Sequence, residues 1–145
     1  MAGPGIRYHE MAQFLSTNHA VTLGFFSPSN VPDKSFKPPY PVKLLDANKP
    51  GFIDSFDIVI SMYFSEAMLR QAKKSHVTCI VDIYAPGPIE NIVLNHFSNG
   101  ATFENDSNYQ REAWLYRNYF LNADYFLVSN DRQRDFWVGY AIAAG

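Results

Sequence analysis

Val77-Thr78-Cys79-Ile80-Val81-Asp82-Ile83-Tyr84 decides the fold. The run is short, apolar and rich in β-branched residues, which suits a strand in a packed sheet. It ends in a carboxylate and a tyrosine, so polar chemistry begins where the strand leaves the sheet. Working outward, Phe56 to Met62 (FDIVISM) is a second short apolar run suited to a buried parallel strand. Between the two, Ser65 stands at a helix cap, Glu66 in the first turn, and Lys73 and Lys74 in the last. Both charge placements favour the helix dipole.

The alternation continues in both directions. Ala123 to Ser129 (ADYFLVS) predicts a last strand and Asp131 to Ala144 a last helix, with Phe136, Trp137, Tyr140, Ala141 and Ala144 near one face. Ser107 and Gln110 have capping-box spacing and open a helix to Leu121, and Ile89 to Phe97 predicts a short helix after Pro86-Gly87-Pro88. Upstream, His19 to Phe26 (HAVTLGFF) and Val42 to Asp46 predict strands. Ser27 to Pro41 holds five prolines and predicts a surface loop. Ile6 to Ser16 predicts a helix with Tyr8, Met11, Ala12 and Leu15 on one face. Such alternation means βαβ units: an α/β fold with an open parallel sheet and helices on both faces. The glycine turn Gly3-Pro4-Gly5 normally follows a strand, and none precedes it here. The sheet is therefore expected to lack its first strand, and a preceding segment or a strand from another chain is expected to fill the gap.

The 145 residues suit one domain, and 47% hydrophobic with 18% charged residues is an ordinary globular balance. A net charge of −2 argues against nucleic acid or an anionic membrane as the main partner. Aromatic residues at 16% are in excess and either fill the core or line a cleft or partner surface. Cys79 is the single cysteine, so no intrachain disulfide forms; inside its apolar run it reads as a buried hydrophobe. No apolar run is long enough to span a bilayer, and no secretory signal is present. Asn105-Asp106-Ser107 then matches a glycosylation acceptor by chance. Gly145 stands where a helix C-cap glycine would, with no tail, which reads as the boundary of a piece of a longer protein.

In an open parallel sheet ligands sit beyond the carboxyl ends of the strands, where four segments are expected to meet. Gly3-Pro4-Gly5 either offers amides to a phosphate or sugar hydroxyl, with Arg7 adding charge, or is a plain helix start. Tyr63 supplies a hydroxyl or a stacking ring, or else packs at the rim. Asp82 is costly unless partnered: it anchors loop amides, pairs with Arg7, or binds ligand hydroxyls. Glu90 begins the following helix and favours its dipole. Asn130 caps the last helix with Gln133 at N3, and Arg132 and Arg134 lie near the cleft edge beside Ser129, or else belong to a solvated helix start. There is no phosphate loop, no nucleophile elbow and no metal-spaced His or Cys cluster. His9, His19, His76 and His96 are scattered, with His9 and His96 read as surface residues on helices.

Met1 to Glu10, HAVTLGFF, VDIYAPGPIE and ADYFLVSNDRQRDFWVGYAIAAG together resemble the N-terminal half of a group 1 (family 4) glycosyltransferase of the GT-B fold. The resemblance covers nearly the whole chain, loosely from Ser27 to Phe56. It implies a Rossmann-like acceptor-side domain facing a separate C-terminal domain that binds the nucleotide-sugar donor with a paired-glutamate motif. It implies that Gly3, Pro4 and Gly5 approach the donor diphosphate, with Arg7 nearby. Asp82, Tyr84 and Glu90 match an Asp-x-Tyr-x-Pro stretch, and Ser129 and Arg132 flank the cleft. The family has a strand before the glycine turn, and many members carry a cleft histidine where this chain has Tyr63, so no catalytic base is named.

The implied activity is retaining transfer of a sugar (hexosyl type) to a hydroxyl acceptor in the cytoplasm, or at the inner membrane face. The nucleotide-sugar is a substrate and no cofactor is implied. Implied partners are the donor, the acceptor and the C-terminal domain; the missing strand, a departure from the family, adds a second copy joined through exposed sheet edges. The domain alone is expected to be inactive. The alternative is a non-catalytic Rossmann-like binding module using the aromatic helix Tyr109 to Phe120 as its partner surface. A receiver-like regulator would need an acidic cluster after its first strand, which is absent.

Overall fold

In a computed structural model the chain divides into two compact units, Met1–Phe52 and Ile53–Gly145. The structure describes residues 3–26, 36–46, 49, 51–91 and 103–145.

The first unit contains α1 (Gly3–Leu15), β1 (Leu23–Phe25) and β2 (Val42–Leu44). β1 and β2 pair in parallel, Leu23 against Val42 and Phe25 against Leu44. The ladder extends at both ends: Leu23 N–H donates to the Pro41 carbonyl at 2.9 Å and Leu45 N–H to that of Phe25 at 2.7 Å. A strand lasts only as long as its partner, so the expected strand His19–Phe26 shrinks to three residues beside a three-residue β2. α1 begins at Gly3, three residues before the expected start. Gly3, Pro4 and Gly5 are therefore the helix's own first turn, not a turn feeding it. Proline is accepted there because first-turn N–H groups have no intrahelical acceptor. Ala12 is buried, with Tyr8, Met11 and Leu15 half-buried beside it, as the periodicity predicts. His9 is half-buried too, not the surface residue expected: Nδ1 pairs with the Tyr40 hydroxyl, and its ring stands edge-on to Phe36, centroids 5.0 Å apart. Residues 27–35 of the proline-rich segment lie outside the described residues.

The second unit contains β3 (Ile58–Ser61), α2 (Glu66–Ser75), β4 (Thr78–Asp82), α3 (Gly87–Asn91), α4 (Phe103–Asn122), β5 (Tyr125–Leu127) and α5 (Asp131–Ala144). The sheet order is β3-β4-β5, all parallel, with Ser61 opposite Val81 and Asp82 opposite Leu127. Val81 (0% exposed), Cys79 and Ile83 form the core beneath α2's Met68, Leu69 and Ala72 and α4's Tyr119. Ile58 at the start of β3 is exposed, so this strand is not buried throughout as FDIVISM suggested: it is an edge of its sheet.

Local chemistry fixes the helices. Ser65 Oγ accepts the Met68 N–H at 3.2 Å, with Glu66 in the first turn and Lys73 and Lys74 in the last, as the sequence predicts. α2 ends at His76, whose φ of 58° closes a left-handed cap. Asn130 Oδ1 accepts Gln133 N–H at 3.0 Å, and Gln133 Oε1 reaches back to Ser129 N–H at 3.0 Å. Gly145 takes the C-cap position at φ +81°. The expected capping box at Ser107 is not a cap: α4 already starts at Phe103, so Ser107 and Gln110 are interior. The helix expected over Ile89–Phe97 runs Gly87–Asn91; its later part, His96 included, lies outside the described residues.

The described residues thus form a mixed α/β structure with two small parallel sheets, one in each unit, and helices. No helix among them is long and apolar enough to cross a membrane.

Candidate functional site

The carboxyl ends of β3, β4 and β5 bring several expected residues to one side of the second unit. β4 ends at Asp82, 2% exposed and the one buried charged side chain among the described residues. The next two carbonyls are held from α5 and from the turn that precedes it. Trp137 Nε1–H donates to Ile83 O at 2.8 Å, and Ser129 Oγ–H donates to Tyr84 O at 3.4 Å. These bonds join Tyr84 and Ser129, two of the expected residues. Tyr84 is half-buried; Ser129 and Arg132 are exposed at the start of α5.

At the end of β3, Ser61 Oγ accepts Tyr63 N–H at 3.1 Å and donates to Tyr63 O at 2.8 Å. This local turn leaves the Tyr63 side chain 54% exposed, available as a ring or hydroxyl. The neighbouring Phe64 N–H donates to the Tyr119 hydroxyl at 3.1 Å, in full burial. Glu90 is exposed on α3. Gly3, Pro4, Gly5 and Arg7 belong to the first unit and stand in α1.

A further polar group escaped the sequence reading. Asn91 Nδ2–H donates to Glu112 Oε2 at 2.6 Å, fastening α3 to α4. Gly87 packs so closely that an added Cβ would lie 2.5 Å from the Tyr116 hydroxyl and 2.8 Å from Glu112 Oε1. Burial first, and then the Glu112 carboxylate, push the Tyr116 phenol far above its usual range, so it stays protonated and can donate. The signal was present: 112, 116 and 119 lie on one helical face, where one carboxylate interrupts the aromatics.

Part of the aromatic excess packs here, while Tyr63, Trp114 and Tyr125 stay exposed. Tyr116 lies 4.6 Å from Trp137 and Phe120 5.3 Å from Phe126, ring centre to ring centre. Cys79 is equally structural: it is 1% exposed, and burial, with Asp124 second, pushes its thiol up to about 11. Its N–H donates to Asp124 Oδ2 at 2.8 Å while Asp124 N–H returns to Cys79 O at 3.0 Å, tying β4 to the start of β5. A shallow cleft of about 280 Å³ at this opposite end of the sheet is lined by Lys73, His76, Thr78, Asn122 and Asp124 among others.

Among the described residues no group of three or more His, Cys, Asp or Glu side chains is arranged to hold a metal ion. No protein-family model matches the chain, and no curated protein or solved structure matches it.

Proposed function

We propose that this chain is the acceptor-side domain of a retaining glycosyltransferase of the GT-B fold, acting with a separate donor-binding domain. One observation carries the reading. Within the units the strands pair β2-β1 and β3-β4-β5, all in parallel. A doubly wound sheet of order 3-2-1-4-5-6 leaves those same two sets of neighbours when its first strand is removed. This supports a Rossmann-like domain that lacks its first strand, with its ligand side at the carboxyl ends of β3 to β5.

On this reading Tyr63, Glu90, Ser129 and Arg132 face the sugar-bearing or hydroxyl substrate, while Asp82 and Tyr84 shape the wall behind them. By resemblance Gly3, Pro4, Gly5 and Arg7 serve the donor diphosphate. The nucleotide-sugar is the substrate, and the departing diphosphate is stabilised by preorganised amides and cations, mostly from the donor domain. The enzyme works in the cytoplasm or at the inner membrane face, and the chain alone does not turn over. Sequencing the coding DNA on both sides tests the reading. An apolar strand upstream and a second βαβ domain with paired glutamates downstream support it; an immediate downstream stop codon refutes it. The second reading, a non-catalytic binding module, draws on the exposure of Trp114 and Leu121 on α4, 51% and 55%.

A further inference from the structure

The cleft at the amino ends of the strands takes no part in the proposed function. Its volume is about 280 Å³, and it lies between the last turns of α2 and α4 and the first residues of β4 and β5. That is just under the size of a drug-like site, so it suits a smaller molecule. Its floor is apolar, with Leu69, Ala72 and Cys79 all buried. Its rim is polar, with Lys73 and His76 from α2 and its cap, and Asn122 and Asp124 from the junction of α4 and β5. α2 ends at Ser75 and α4 at Asn122, so two helices bring carbonyls without intrahelical donors, and the negative ends of their dipoles, to the same place. The backbone N–H groups beside them are already used: those of His76 and Val77 on Ala72 O, that of Thr78 on Asp57 O and that of Ala123 on Tyr119 O. Asp124 Oδ2 is fixed by the Cys79 N–H at 2.8 Å, and its Oδ1 has no hydrogen-bond partner among the described residues. Asn122 Nδ2–H donates to Asn118 O at 3.0 Å, which leaves Oδ1 to accept. The α4–β5 side is therefore a set of acceptors around a carboxylate, whereas the α2 side offers Lys73 and His76 as donors. His76 keeps a left-handed φ of 58°, the one positive φ at a non-glycine among the described residues, at a cap position that glycine would take without strain. A strained residue kept on the rim of a cleft points to a use for its side chain.

We propose that this cleft binds a small zwitterion of the free α-amino-acid class, one with an aliphatic side chain. Its ammonium group donates to Asp124 Oδ1 and Asn122 Oδ1, beside the carboxyl ends of the two helices. Its carboxylate accepts from Lys73 Nζ and the His76 imidazole. Its aliphatic part covers Leu69 and Ala72. A singly charged ligand suits the cleft less well: an anion alone meets Asp124 and two negative helix ends, and a cation alone meets Lys73. The inference is independent of the glycosyltransferase reading, whose ligand side is the other end of the sheet.

Amide chemical shifts of the whole chain, titrated with L-leucine, test it. Leucine should move Thr78, Asn122 and Asp124 with a Kd of about 0.1–10 mM, the range open to so small a ligand on an open site. Isovalerate, which lacks the ammonium, and isoamylamine, which lacks the carboxylate, should each bind at least about tenfold more weakly. His76→Gly removes the imidazole and relieves the left-handed φ, so it keeps the fold. Asp124→Asn removes the charge and keeps an acceptor for the Cys79 N–H. Each should weaken leucine binding about three- to tenfold, read at Thr78 and Asn122, with an unchanged circular dichroism spectrum. No shift with leucine at about 50 mM overturns the proposal. So does a singly charged analogue that binds as tightly as leucine, or a leucine affinity unmoved by His76→Gly or by Asp124→Asn.

Discussion

Tyr119→Phe removes one oxygen atom from a side chain that is 1% exposed. That oxygen accepts the Phe64 N–H at 3.1 Å, and Phe64 is 0% exposed, so water cannot take its place. The ring and its packing remain. What is lost is the acceptor of a buried backbone donor, and leaving such a group unpaired costs about 1–3 kcal/mol. In a unit of this size each kcal/mol lowers Tm by roughly 4–8 °C. Urea unfolding followed by tryptophan emission measures the difference, since Trp137 is buried in the same cluster. Tyr125→Phe, at a 63% exposed site, should stay within about 0.5 kcal/mol of the parent. The Phe64 amide should also exchange faster in the variant. Burial pushes the Tyr119 phenol from 10.0 up to about 12. A folded pKa above the unfolded one means that stability is intact below pH 10 and lost as pH rises from 10 to about 12. Tyr119→Phe should flatten that decline. A Tyr119→Phe variant as stable as the parent, with Phe64 still protected, would mean that this hydrogen bond contributes nothing to the fold.

Gly87→Ala should destabilise by about 1–3 kcal/mol, because its Cβ meets the Tyr116 hydroxyl and Glu112, and adding Tyr116→Phe should recover part of the loss in urea melts. Cys79 should resist thiol reagents at pH 8 in the folded chain and react on unfolding. Its pKa, raised from 9.0 to about 11, should make stability fall between those pH values, an effect absent in Cys79→Ala. Asn130→Ala should cost about 1 kcal/mol through loss of the α5 cap, with Asn130→Asp near neutral. His76→Gly should raise stability by up to about 1 kcal/mol by relieving the left-handed φ of 58°, read as a higher urea midpoint.

Sequence reading succeeds where a local signal has a local cause. Ser65 and Asn130 cap the helices they precede because each side chain needs only the next turn. Within the predicted Val77–Tyr84, Thr78–Asp82 is a strand because its β-branched run has a partner on either side. Elsewhere the cause is distant. β1 is short because β2 is short. The Ser107 signal fails because a serine with Gln110 three residues on fits a helix interior as well as a cap, provided the chain is already helical at Phe103. His9 meets Tyr40 across 31 residues, and Glu112 meets Asn91 across 21, contacts that no window of sequence contains. At the candidate site Asp82, Tyr84 and Ser129 were legible because strand ends are, whereas the grip of Trp137 on Ile83 O spans 54 residues.

The proposed ligand side of the second unit is the carboxyl ends of β3, β4 and β5. Amide chemical shifts of the chain, titrated with methyl α-glucoside, methyl α-mannoside, UDP-glucose and GDP-mannose, test it most directly. Shifts are expected at Tyr63, Tyr84, Glu90, Ser129 and Arg132 for at least one probe. Shifts confined to Lys73, His76 and Asp124 at the opposite end of the sheet, or none with any probe at millimolar concentration, would contradict it.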